Sequence, residues 1–188
     1  MADLTDLYER ASERFGDKVR SIRADQWTNP TPCTEWDVRA LMNHIVGENL
    51  WVPPLLAGKT IAEVGSAFDG DVLGDDPLAA WRDSAAAAVT AVRSPGAMQA
   101  TTHLSFGDTP GSEYTQQLFT DLAIHGWDLA RGIGADDTID PEFVEVLYAD
   151  LAPQEESLKA SGLFGGKVVP PEGADQQTKL LAILGRTR

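Results

Sequence analysis

Three side chains in this sequence have the types and spacing to hold a divalent metal ion: His44, within the run Glu35 to Glu48, and the pair Asp121 and His125. Asp121 and His125 are four apart, so on a helix they lie one turn apart on the same face and can address one point. Two imidazoles and one carboxylate leave coordination positions open on a tetrahedral zinc ion, or on an octahedral iron or nickel ion. Open positions belong to catalytic rather than purely structural centres, and a water or thiol bound there loses its proton readily because the cation stabilises the anion. Plainer readings exist for the same residues. An Asp and a His four apart also occur as a solvated or hydrogen-bonded helix pair, and His44 also reads as a core histidine bonded to Glu48.

The elements that would position these groups are helices. Leu4, Leu7, Tyr8, Ala11, Phe15, Val19 and Ile22 recur at spacings of three and four, which predicts an amphipathic helix over 3–24. Pro30 and Pro32 then force an extended connection. Thr34 is the expected N-cap of a second helix, with Glu35 and Asp37 in its first turn and Pro53-Pro54 as its stop. Val38, Leu41, Met42, Ile45, Val46 and Val52 form its apolar stripe, and His44 lies at the border of that stripe.

Residues 55–75 read as a surface connection, and Asp76-Pro77 opens a third helix running to about Val92. Residues 97–111 lack helical periodicity and suit a short extended segment or hairpin. Ser112 is the expected cap of a fourth helix, ending near Gly132 and Gly134 and carrying both Asp121 and His125. A fifth helix is expected from Pro141 to about Ala160, and a short terminal one from Asp175 to Leu184. The pattern is all-α: four long antiparallel helices with a short C-terminal helical extension, and the second and fourth must be neighbours for the three residues to meet.

Composition narrows the function. With 188 residues and 43% hydrophobic content, a single domain over 1–188 is expected. The formal net charge is -14 with only 15 Lys plus Arg, so the chain has no basic surface for nucleic acid or an anionic membrane. The lone Cys33 forms no internal disulfide and fits a reducing compartment. The N-terminal stretch lacks an apolar signal core, and no segment reaches the roughly 20 apolar residues of a membrane span. A cytoplasmic location is expected.

Five further residues have two readings each. Cys33 precedes a helix N-terminus, where a thiol pKa is lowered, but also suits a buried filler. Trp36 and Trp127 read as core anchors or wedges between helices. Asp128 reads as a hydrogen-bond acceptor orienting His125 or as a helix-surface carboxylate. His103 falls in the irregular region, at the mouth of the site or outside it.

The stretches Trp27 to His44, Asp121 to Arg131, Phe164-Gly165 and Leu180 to Arg186 together resemble the metal-binding-domain family related to mycothiol-dependent maleylpyruvate isomerase, within the DinB-like helical bundles. The resemblance implies a DinB-like four-helix bundle that binds a divalent metal, most often zinc, through the positions of His44, Asp121 and His125. It further implies mycothiol as a cosubstrate. Two departures bear on the substrate: a carboxylate one methylene shorter, Asp121 where the isomerase has Glu, and no room for that enzyme's additional C-terminal domain. The implied activity is therefore metal- and thiol-dependent S-transfer or isomerisation of some small electrophile, with no general acid identified and with a monomer or a homodimer both compatible. The alternatives are a noncatalytic metal-binding or stress-response bundle, and a helical interaction module without metal.

Overall fold

The computed structural model describes residues 3–161 and 168–188; Phe164 and Gly165 of the family-like stretches lie outside them. The chain divides into two units, Met1–Ala135 and Asp136–Arg188, and the three candidate ligands all belong to the first. Its long helices are α1 (Leu4–Arg20), α2 (Val38–Leu56), α4 (Pro77–Val92) and α5 (Gly111–Ile133), with a single turn, α3 (Ile61–Val64), between α2 and α4. Each long helix packs on two others: α1 on α4 and α5, and α2 on α4 and α5. The required adjacency of the second and fourth predicted helices, α2 and α5, is therefore present.

The helix starts follow local chemistry. Asp3, Asp37 and Asp76 each accept a hydrogen bond from a backbone N–H of the first turn, answering donors that have no partner within the helix. For α2 this corrects the expected start at Thr34. Pro30 pairs with Asp37 in an antiparallel bridge, the Thr31 N–H donates to the Trp36 carbonyl, and the Trp36 N–H donates to the Cys33 carbonyl. Residues 30–37 thus close into a loop, and Asp37 becomes the cap. Pro53 and Pro54 do not stop α2 at once, since in its last turns only their own missing donors are lost, and the helix continues to Leu56.

The connection from α2 to α4 is pinned rather than loose. Asn43 donates to the Gly70 carbonyl and accepts from the Val72 N–H, at 2.9 and 2.8 Å, while Arg39 pairs with Asp71. Phe68 meets the Trp51 ring edge-on. The irregular region resolves into the hairpin β1 (Thr101–Leu104) and β2 (Gly107–Pro110), with Thr102 opposite Thr109, leading straight into α5. Helix α5 starts at Gly111 with no side-chain cap, not behind Ser112, because the Gly111 N–H already donates to the Ala100 carbonyl at 2.7 Å.

Helix α5 is the centre of this unit. Every residue from Leu122 to Ala130 is buried, polar ones included. Trp127 is among the largest fully buried side chains, as a core anchor should be, and Phe15 packs against Trp81 nearby in the core. The C-terminal carbonyls of α5 are answered by the loop before α2: Gln26 donates to Ile133 and Asn29 to Gly132. Gly132 fits closely there: a Cβ would stand 3.0 Å from the Val38 side chain and 3.2 Å from that of Thr31, both of which would have to give way.

In the second unit the expected long fifth helix is broken into α6 (Pro141–Leu151), a 3-10 turn over Ala152–Gln154, and α7 (Glu155–Ser161). Pro153 is the cause, because it lacks a donor and crowds the preceding turn. Helix α8 (Gln176–Ile183) is capped by Asp175 and packs on α6. Gln177 secures the chain before α6, accepting from the Ile139 N–H and donating to the Asp137 carbonyl.

Candidate metal centre

Helix α2 presents His44 and helix α5 presents Asp121 and His125 to a common point. One ligand atom from each of the three lies within 4.8 Å of the others. His44 Nε2 is 3.4 Å from Asp121 Oδ2, and His125 Nε2 is 3.9 Å from Asp121 Oδ1. Donors about 2.05 Å from a tetrahedral ion stand about 3.4 Å apart. The three groups therefore fit a divalent ion after shifts of a few tenths of an ångström to about an ångström. Among the described residues no other cluster of His, Cys, Asp and Glu meets this condition.

Burial is graded across the cluster. The His125 side chain is 10% exposed, His44 25% and Asp121 39%, so the cluster faces solvent through Asp121 and His44. Behind His125 stands Asp128, fully buried, its Oδ2 2.9 Å from His125 Nδ1. When Nδ1–H donates to this carboxylate, the Nε2 lone pair faces Asp121 and His44. This decides between the two readings of Asp128: with no exposed surface of its own, it is not a helix-surface carboxylate.

Trp36 takes a place its sequence context did not indicate. It is only half-buried, and its ring lies 4.6 Å from the His44 ring and 5.6 Å from the His125 ring, which meet each other edge-on at 5.2 Å. Rather than wedging helices apart, the indole covers both imidazoles. It is carried there by the closed 30–37 loop, and that pairing across the loop is the signal a reading of helical periodicity passes over. Metal occupancy is expected to change tryptophan fluorescence: cobalt or nickel should quench a fraction of it in the wild type and far less of it in Trp36→Phe.

Two other candidates stand elsewhere. His103 is bonded across the hairpin to Asp108 at 2.7 Å and stays outside the cluster. Cys33 is half-buried in the loop before α2, neither a core filler nor a member of the cluster.

Burial pushes the His44 imidazole down, but the adjacent Asp121 carboxylate and, more weakly, Glu48 outweigh it, so its pKa lies above the ordinary value. Glu48 itself is raised, by burial first and by the Asp121 charge, against the pull of His44 and His125. A folded imidazole pKa above the unfolded one contributes stability that is full below the unfolded value and vanishes as pH rises through the folded one. The metal-free protein should therefore lose that increment as pH rises from the ordinary imidazole range through the raised value of His44. Metal affinity should move oppositely, rising by up to about tenfold per pH unit while a proton must be displaced from His44. Calorimetric zinc titrations and melting of the metal-free protein across that range check both signs.

Residues 8–130, which hold all three candidate ligands, Asp128 and Trp36, match the family described as mycothiol maleylpyruvate isomerase N-terminal domain. The chain belongs to that family. Two Mycobacterium tuberculosis proteins, Uncharacterized protein MT0763 and Uncharacterized protein Rv0738, are each 34% identical to it over 182 residues, spanning 96% of both chains. A crystal structure of the mycothiol-dependent maleylpyruvate isomerase has the same fold, with a TM-score of 0.63 at 16% identity, over 87% of this chain and 72% of that one. Membership of the mycothiol maleylpyruvate isomerase family agrees with the helical architecture. Among the described residues no helix is long and apolar enough to cross a membrane.

Proposed function

We propose that the 188 residues act as a single DinB-like bundle domain that binds one divalent metal ion, zinc by its ligand types, and uses it with a low-molecular-weight thiol of the mycothiol kind to transfer to or isomerise a small electrophile. The observation that carries this reading is the convergence of His44, Asp121 and His125 with Asp128 behind His125. Family membership supports the thiol. A bound divalent ion would stabilise a coordinated thiol as its thiolate at neutral pH.

The chain's own residues divide the remaining work. His125 is held in one tautomer by Asp128, so its donor atom is fixed before any ligand arrives. Asp121 is the most exposed of the three and supplies the negative charge nearest the approach side. Trp36 keeps water from the outer faces of both imidazoles and fixes their planes. A cytoplasmic site of action fits the thiol chemistry, since such thiols are held reduced there.

The test is a thiol titration of cobalt-substituted protein. Mycothiol or a simpler thiol should shift the visible spectrum of the cobalt centre through sulfur coordination and should support turnover of electrophiles such as maleate analogues. A cobalt spectrum indifferent to thiols, with no turnover, would remove the transferase reading and leave the noncatalytic metal-binding one.

A further inference from the structure

Asp121 belongs to two sites at once. Besides its place in the ligand cluster, it lines a small cavity with Tyr8 from α1, Ile45, Glu48 and Asn49 from α2, and Leu118 and Leu122 from α5. The volume open there to the centre of a water molecule is about 10 Å³, which is near the threshold of one water.

The polar atoms around it lack partners. Tyr8 and Asn49 are 1% and 3% exposed, and Tyr8 Oη and Asn49 Nδ2 have no hydrogen-bond partner in the protein. The buried Tyr114 hydroxyl is in the same condition and feels the charges of Glu48, Tyr8 and Asp121. Leaving a buried donor unsatisfied costs about 1–3 kcal/mol each, and native proteins answer such groups with an internal water when the cavity is polar and large enough. This cavity offers two neutral donors, Tyr8 Oη–H and Asn49 Nδ2–H, and two carboxylates, Glu48 and Asp121, to accept. A water accepts from donors and donates two hydrogens, so the inventory matches one water molecule with up to four partners.

We propose that one tightly held water fills this cavity and that Tyr8 and Asn49, acting through it, are positioning residues that aim the Asp121 carboxylate at the metal. The inference rests on the metal-binding reading for its functional half; the water itself does not. It assigns a role to α1, a long helix of this unit that carries no ligand, by tying it to a ligand on α5 through a solvent bridge.

The experiment compares wild type, Tyr8→Phe and Asn49→Leu in three measurements: cobalt affinity, the ligand-field spectrum of the cobalt form, and the melting temperature of the metal-free protein. Outer-shell partners of metal ligands typically contribute about 10–100-fold in affinity, so each variant is expected to bind cobalt about that much more weakly, with a displaced visible band and no gain in metal-free stability. A merely orphaned hydroxyl behaves in the opposite way, because removing it relieves its desolvation: Tyr8→Phe would then melt higher, with cobalt affinity and spectrum unchanged, and that result overturns the proposal. A wild type that takes up no cobalt overturns the metal reading and the positioning role with it. In that event a high-resolution crystal structure of the metal-free protein still decides the water, whose density between Tyr8, Asn49 and Asp121 must be present.

Discussion

Replacing His125 by alanine is expected to weaken divalent-metal affinity by about 100-fold or more, taking roughly 10–16 kcal/mol for a four-donor zinc site as shared among its donors. The imidazole is buried and hydrogen-bonded to Asp128, so the metal-free variant should also lose some stability, about 1–3 kcal/mol for a buried hydrogen bond broken on one side. Its neighbour gives the more discriminating result. Asp128 touches His125 on the side away from the cluster, at Nδ1, and is fully buried. Asp128→Asn keeps an acceptor for the Nδ1–H but removes the charge, so affinity should fall by about tenfold; Asp128→Ala, with neither, should approach about 100-fold. Equal affinities in all three proteins, measured by competition with a chromophoric chelator, would show that His125 is an ordinary core histidine.

The second large effect falls on stability. Gly111 opens α5 directly from the hairpin, and a Cβ built there would stand 1.9 Å from the Ala97 carbonyl oxygen and 3.1 Å from its carbon. Both are backbone atoms, which cannot rotate away, and the Gly111 N–H is bonded to Ala100 in the same junction. Gly111→Ala should therefore cost about 3 kcal/mol, at the upper end of overpacking, which lowers the melting temperature by about 6–12 °C in a chain of this length. Glycine is required at this point by close approach rather than by backbone angle. Because α5 carries Asp121 and His125, a shift of its first turn is also transmitted toward the cluster. A melting temperature unchanged in Gly111→Ala would mean that the hairpin and α5 are not joined as described.

What could be read in the residues follows from the range of each interaction. The period of three and four in α1, the Asp76-Pro77 start of α4 and the Gly134 end of α5 are local signals; α4 and α5 lie where they put them, while α1 begins as expected but ends at Arg20, short of the expected residue 24. The start of α2 is different. Thr34, Glu35 and Asp37 are all competent near a helix N-terminus, and the choice among them is made by the bridge between Pro30 and Asp37, a pairing outside any helical wheel. Trp36 follows from the same loop, so its position over the imidazoles was not legible either.

Asp128 marks a second limit. Its spacing from His125 fits a hydrogen bond, but the same spacing fits a surface carboxylate, and only the burial of the Leu122–Ala130 stretch of α5 separates the two. The meeting of His44 with Asp121 and His125 depends on two helices far apart in sequence packing together, which spacing alone cannot reveal. The Asp–His pair on α5 was visible because it lies within one helical turn.

The function proposed for this chain requires that the three-donor cluster hold a metal ion. Elemental analysis of the full chain, purified without an affinity tag or metal column and then equilibrated with zinc and desalted, tests it most directly. Close to one zinc per wild-type chain is expected, and a small fraction of that in His44→Ala and His125→Ala. Wild-type protein that emerges without bound metal, indistinguishable from the two variants, would contradict it.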